Sequence, residues 1–241
     1  MLDDMTALSG PAGPRLLLVA HGTRSAAGRR VLGRILLEAR KQLVGVDCRL
    51  AWVDVQEPGP GKILADGVPT VVVPAFLARG FHVVHDVGQA CREAPGPVVQ
   101  TPHLGAEPEL VRALVQRLAE AGATGAFGAD AVVLGAAGSS DASSVAETRA
   151  LAARLAELLR TPVTAGFASA ASPTVTEEVT RLRADGHRRI AVATHLLAPG
   201  FFADRLAAAG GDITSAPLGA HPEIIDLIVR RYRENSAAIG R

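Results

Sequence analysis

The sequence predicts an α/β fold made of two similar doubly wound parallel-sheet domains that arose by internal duplication. Three observations carry this. Short Val/Leu/Ile runs alternate with longer amphipathic stretches along all 241 residues, the pattern of strands joined by helical crossovers. The runs are continuous in apolar residues, as parallel strands buried on both faces require. The chain is also written twice: Gly22 falls on Gly138, Gly80-Phe81 on Gly200-Phe201, and LGAEPELVRALVQRL (104–118) on LGAHPEIIDLIVRRY (218–232).

Each copy repeats one order of elements. In the first, a strand at 16–20 leads through a small-residue turn to a helix over about 25–43. A second strand (48–55) ends in a Pro/Gly turn and a helix. A third (70–74) leads through a loop to a helix, and a short fourth (98–101) leads to a terminal helix over 107–121. The Gly/Ala-rich stretch EAGATGAFGAD (120–130) is the natural joint. It divides the chain into an N-terminal domain, 1–124, and a C-terminal repeat, 125–241.

Composition excludes several functions. Aromatics are 3% of residues and the formal net charge is +1. Neither base-stacking platforms nor a basic field for nucleic acid is therefore expected. Cys48 and Cys91 lie far apart and form no CxxC, which argues against a zinc knuckle and suits a reducing, cytoplasmic setting. The segment MLDDMTALSGPAGP lacks the basic and apolar regions of a signal peptide and reads as a loose tail. No apolar run is long enough to span a bilayer.

Ligands of open parallel sheets bind beyond the carboxyl ends of the strands. In the first copy that edge carries His21 after the first strand, Asp54 and Glu57 at the end of the second, His82 and His85 after the third, and His103 after the fourth. In the second copy Ala137 stands for His21, Ala168 or Ser169 for Asp54, and Phe202 for His82. One copy thus holds the reactive groups, while the other serves as wall or lid. Neutral imidazoles with a carboxylate suit a divalent transition metal. A few dispersed ligands leave coordination positions open, as a metal that is used or handed on requires.

Plainer roles stand beside these. A histidine after a strand is as readily a loop residue or a helix cap, and His85 lies where it can support His82. His103 reads as a helix cap and His187 as a surface-turn residue. His195 reads as a packing residue and His221 as a helix terminus. Glu57 can cap the helix after Pro58. Asp54 falls inside an apolar strand, where an unpaired carboxylate is costly. GAAGSSD (135–141) has the form of an anion nest and reads as a degraded copy of AHGTR.

Three motifs in order, HGTR (21–24), WVDVQEP (52–58) and PAFLARGFHVVHDV (74–87), resemble the sirohydrochlorin chelatases, class II chelatases of the CbiX and SirB type in their long, two-half form. The resemblance covers nearly the whole chain. It implies a lyase, a ferrochelatase or cobaltochelatase inserting Fe2+ or Co2+ into sirohydrochlorin for siroheme or cobalamin. Ni2+ suits the same donors, and no organic cofactor is implied. The family's metal histidines fall on His21 and His82. Its acid, usually Glu, falls on Asp54, one methylene shorter, and Glu57 on the second acid. Sirohydrochlorin carries many carboxylates, for which arginine is the preferred partner; Arg24 and Arg79 lie in loops at this edge. Imidazole ligation implies that activity falls in acid. A cleft built within one chain implies a monomer or weak homo-oligomer.

A histidine phosphatase also places His-Gly after its first strand, but normally with Arg directly before the histidine, where this chain has Ala20. A non-catalytic metal or tetrapyrrole carrier would use the same ligands, and only turnover separates it from a chelatase. A purely structural duplicate would bind no metal.

Overall fold

The computed structural model describes residues 13–80, 83–124 and 128–239. The expected tail, Phe81, His82 and part of the joint lie outside the described residues. The first repeat runs β1 (Arg15–Ala20), α1 (Ala26–Gln42), β2 (Cys48–Trp52), α2 (Pro60–Leu64) and β3 (Thr70–Pro74). A π-helical turn, Val83–Val87, then leads into α3 (Gly88–Glu93), β4 (Val98–Gln100) and α4 (Pro108–Glu120). The second repeat runs β5 (Ala131–Ala136), α5 (Ala142–Leu159), β6 (Val163–Phe167), α6 (Val175–Ala184), β7 (Ile190–His195), α7 (Phe201–Ala207), β8 (Ile213–Thr214) and α8 (Pro222–Ile239).

All strand pairs are parallel, in the orders β2-β1-β3-β4 and β6-β5-β7-β8. From β1 the chain steps to β2, then crosses back past β1 to β3. The winding direction therefore reverses between β1 and β3, and loops after these two strands flank the crevice where such sheets bind ligands.

Each central strand divides its residues between two cores, as its two-residue period demands. Leu17, Val19 and Val72 point outward to Ile63 and Leu64 of α2. Val133, Ile190 and Val192 point outward to Val175 and Val179 of α6 and Leu206 of α7. The inner residues of both sheets, including Leu16, Leu18, Val71, Val73, Val132, Leu134, Ala191 and Ala193, share one core with α1, α4, α5 and α8.

Terminal helices are exchanged across this core. The last helix of the second repeat, α8, packs on β3, β4 and α1 of the first, while α4 packs on β7 and α5 of the second. Ion pairs line the crossing of α4 with α8. Arg230 bonds Glu109 at 3.0 Å and Glu107 at 2.9 Å, and Arg112 forks onto Glu223 at 2.8 and 2.7 Å. Tyr232 of α8 donates its hydroxyl to Pro14 O, just before β1, at 2.7 Å. The repeats are thus units of sequence and of sheet topology that bury their inner faces together.

Two close backbone approaches recur in both copies. Gly22 and Gly138 have φ of 100° and 92°. A Cβ there would lie 2.0 Å from Asp54 O or 1.8 Å from Ser169 O, so only glycine fits. Val55 and Ala170 then take φ of 68° and 54°, although β-branched residues rarely adopt that region. Because the copy without reactive groups bends the same way, the bend belongs to the scaffold and not to the chemistry.

Gly138→Ala, measured by urea unfolding, loses at least ~2 kcal/mol. Gly33→Ala is the contrasting control: Gly33 lies inside α1 with open space around its Cα, so that change adds about 0.5–1 kcal/mol. His195 behaves as a packing residue. It ends β7 almost fully buried, its Nε2 has no partner, and burial pushes its pKa down to about 4. A folded pKa below the unfolded value means the unfolded chain takes up the proton first, so this stability is present above the unfolded pKa and lost as pH falls. Between about pH 7.5 and about pH 5 the wild-type chain loses roughly 2 kcal/mol more than His195→Leu in urea titrations. Equal losses in the two proteins would refute it.

Candidate functional site

The site is built on the loops beyond β1, β2 and β3. β1 ends at Ala20, and the next residue, His21, is exposed at the carboxyl edge. The chain after β2 continues beside it: Val53 N–H donates to Ala20 O and Asp54 N–H to His21 O, both at 3.0 Å. His21 and Asp54 are therefore backbone neighbours on adjacent strand ends. This corrects the reading of Asp54 as a residue inside the strand. β2 ends at Trp52, and Asp54 lies exposed in the loop. No burial cost arises, because the carboxylate is in water and its Oδ1 accepts Val55 N–H at 2.7 Å.

Glu57 is exposed on the same loop and accepts the N–H of Gly59, the N-cap residue of α2, at 3.1 Å, while α2 has no side-chain cap of its own. Arg24 and Arg79 are both exposed at this edge, on the β1–α1 and β3–α3 loops. His82 lies outside the described residues, as do the side chains of Val83 and Val84. Among the described residues no group of three or more His, Cys, Asp or Glu is arranged to hold a metal. The expected set is thus represented there by His21 and Asp54. The two cysteines do not supplement it, since burial pushes both thiols up to about 11 and keeps them protonated at neutral pH.

An open groove of about 570 Å3 adjoins the loop after β2, lined by Trp52 to Glu57 and by Asp86, Gln89, Ala90 and Glu93. Four carboxylates face it, so its chemistry suits a cation and repels an anion. The arginines suited to anions, Arg24 and Arg79, are on neighbouring loops and do not line it.

The remaining histidines separate by role. His85 lies exposed in the π-helical turn, its Nδ1 3.2 Å from Asp86 Oδ1. His187 is near Asp130, at 3.7 Å. His221 caps α8, its Nδ1 accepting Glu223 N–H at 3.2 Å. His103 is not a cap, since α4 is capped at Glu107. Its Nε2 instead meets Glu147 of α5 at 3.1 Å. In the second copy Ser169 takes the place of Asp54 and donates its hydroxyl to Ala137 O at 3.1 Å. The supposed nest at GAAGSSD is closed by its own side chain: Asp141 caps α5 and accepts from Ser143 N at 2.8 Å.

Two residues escaped sequence reasoning. Gln56 clamps the first loop, its Oε1 accepting Thr23 N–H at 2.8 Å and its Nε2 donating to Thr23 O at 2.6 Å. It lies inside WVDVQEP, but an amide between two acids carries no reactive signature. Glu147 lies 44 and 68 residues from His103 and Arg79, so no local spacing could reveal it.

A duplicated α/β scaffold with one reactive carboxyl edge is the class these features define. The chain belongs to the CbiX family, whose model matches twice, over residues 15–121 and 131–235, once per repeat. Its fold is similar to that of SirB from Bacillus subtilis with Fe3+, at TM-score 0.74 and 22% identity, covering 92% of this chain and 95% of that one. SirB from Bacillus subtilis subspecies spizizenii in complex with cobalt follows at TM-score 0.71 and 20% identity, covering 92% and 95%. CbiX, the terminal enzyme for biosynthesis of siroheme in denitrifying bacteria, superposes at TM-score 0.66 and 18% identity, covering 91% and 98%. No curated protein matches the sequence. No described helix is long and apolar enough to cross a membrane.

The Gln56 clamp generates a prediction. Gln56→Leu leaves both Thr23 backbone groups without their partner and costs ~1–2 kcal/mol. Gln56→Glu does no better, because its second oxygen faces the Thr23 carbonyl. Faster amide exchange at Thr23 and a lower urea midpoint in both variants are the expected results.

Proposed function

We propose that this chain is a sirohydrochlorin chelatase that inserts Fe2+ or Co2+ into the macrocycle at the carboxyl edge of its first repeat. The observation that carries the reading is the CbiX family match in both repeats, combined with a reactive set confined to one of them. The iron and cobalt in the B. subtilis SirB structures support a transition metal as the inserted substrate.

In this reading His21 and His82 hold the metal as neutral imidazoles, and Asp54 offsets its charge. The macrocycle must release two pyrrole protons for each M2+ it accepts, so charge balances at the ring. Asp54 and Glu57, both in water, are placed to take those protons and pass them to solvent. The acidic groove beside them favours the approach of a cation. Arg24 and Arg79 bind the carboxylates around the ring. In this reading one chain supplies the whole site, so a monomer or weak homo-oligomer suffices.

The test is anaerobic metal insertion followed by absorbance, with Fe2+ and Co2+ in separate reactions. His21→Ala lowers turnover by about 100-fold or more, and Asp54→Asn by a smaller factor, with unfolding midpoints unchanged. Binding of metal and macrocycle without turnover would make the chain a carrier. Full activity in His21→Ala would remove the proposed site.

A further inference from the structure

The second repeat lacks the reactive residues, yet it reaches into the first repeat's edge through one carboxylate. Glu147, on α5, accepts the backbone N–H of Arg79 at 2.7 Å and the Nε2–H of His103 at 3.1 Å, both on Oε2. Two turns further along the same face of α5, Arg154 donates to Ala106 O in the loop before α4. One helix face of the second repeat therefore holds two active-edge loops of the first.

The β3–α3 loop needs that hold. Its start is fixed by Ala75 N–H on Val19 O at 2.7 Å and by Leu104 N–H on Phe76 O at 2.9 Å. Three residues beyond Phe76, the Arg79 N–H goes to Glu147. His103 has a largely buried side chain, 15% exposed, and its ring N–H requires an acceptor. The Arg79 charge also helps to lower the pKa of Asp141, at the start of the same helix.

The internal duplication provides a control. At the equivalent junction in the other direction, Val31 stands for Glu147, Pro199 for Arg79 and Pro217 for His103. Proline has no N–H to donate. That junction is instead made by close packing, in which a Cβ on Gly28 would lie 2.8 Å from Pro199 O. Among the described residues the hydrogen-bonded node is thus found on the side that carries His21, Asp54 and Arg79 and not at the equivalent junction. A purely architectural contact would recur in both copies, as the Gly22 and Gly138 approaches do.

We infer that Glu147 is a positioning residue of the first repeat's substrate site. It sets the β3–α3 loop, and with it Arg79, by accepting from the Arg79 N–H and from His103. The substrate part of this inference rests on the chelatase reading. Its test uses the full chain, Glu147→Ala and Glu147→Gln, with two readouts: amide exchange over residues 76–80, and steady-state insertion of Co2+ into sirohydrochlorin.

In Glu147→Ala the Arg79 amide exchanges ~10-fold faster and KM for the macrocycle rises ~10-fold, the scale of one lost charge-assisted hydrogen bond. KM for Co2+ stays near wild type, while the unfolding midpoint falls modestly because two donors lose their acceptor. Glu147→Gln restores both readouts, because an amide oxygen in the place of Oε2 still accepts from both the Arg79 N–H and the His103 Nε2–H. Unchanged exchange in Glu147→Ala overturns the inference, as does faster exchange with an unchanged KM. A Gln variant as impaired as Ala also overturns it, since charge and not hydrogen bonding would then be the cause. No turnover by the wild-type chain overturns the chelatase reading and the substrate role together, while the exchange result still decides whether Glu147 holds the loop.

Discussion

The shared core is the constraint on which the rest of the structure depends. Each sheet has an outer face covered by its own repeat and an inner face that its own helices do not finish covering. The inner faces are completed by exchange, α8 against β3 and β4, α4 against β7. Apolar burial drives this without direction; the ion pairs of Arg230 and Arg112 with Glu107, Glu109 and Glu223 give it register. Once the helices are exchanged, the start of each repeat's first helix meets the loops of the other. That is why Gly28 lies under Pro199 and why Glu147 reaches Arg79.

Duplication separates scaffold from chemistry within one molecule. The left-handed glycines, the bend after the second strand and the backbone bonds from Val53 and Asp54, or from Ala168 and Ser169, occur in both copies. They are the conditions for three parallel strands to end side by side with their loops in contact. His21, Asp54 and Gln56 occur in one copy only, and Ala137, Ser169 and Ala171 stand in their places. What differs between copies is therefore assignable to function more securely than any residue taken alone.

Charge divides the edge of the first repeat. Carboxylates from the loop after β2 and from the π-helical turn and α3 surround one groove, while Arg24 and Arg79 are exposed on the loops after β1 and β3. In the proposed reaction the acidic groove would draw the cation and the two arginines the polycarboxylate, at different parts of the same edge. That is the arrangement needed by a reaction that brings the two together.

The sequence by itself determined the parallel α/β class, the order of the elements, the duplication, and the first repeat's carboxyl edge as the place of reactive groups. These follow from local periodicity and from strand ends, which need no knowledge of partners. β3 at Thr70–Pro74 coincides with its expected span because a continuous buried run has few alternative readings. The sequence pattern extends β2 three residues too far, because Val53-Asp54-Val55 continues an apolar alternation, while the chain turns away there to bring Asp54 O against Gly22. Only the tertiary structure decided that Asp54 is in water, that His103 pairs with Glu147, and which sheet α4 and α8 cover. The stripe Leu110, Val111, Leu114 and Leu118 states that one face of α4 is buried, but burial is non-directional. The identity of the covering surface is therefore written in the packing of the whole chain.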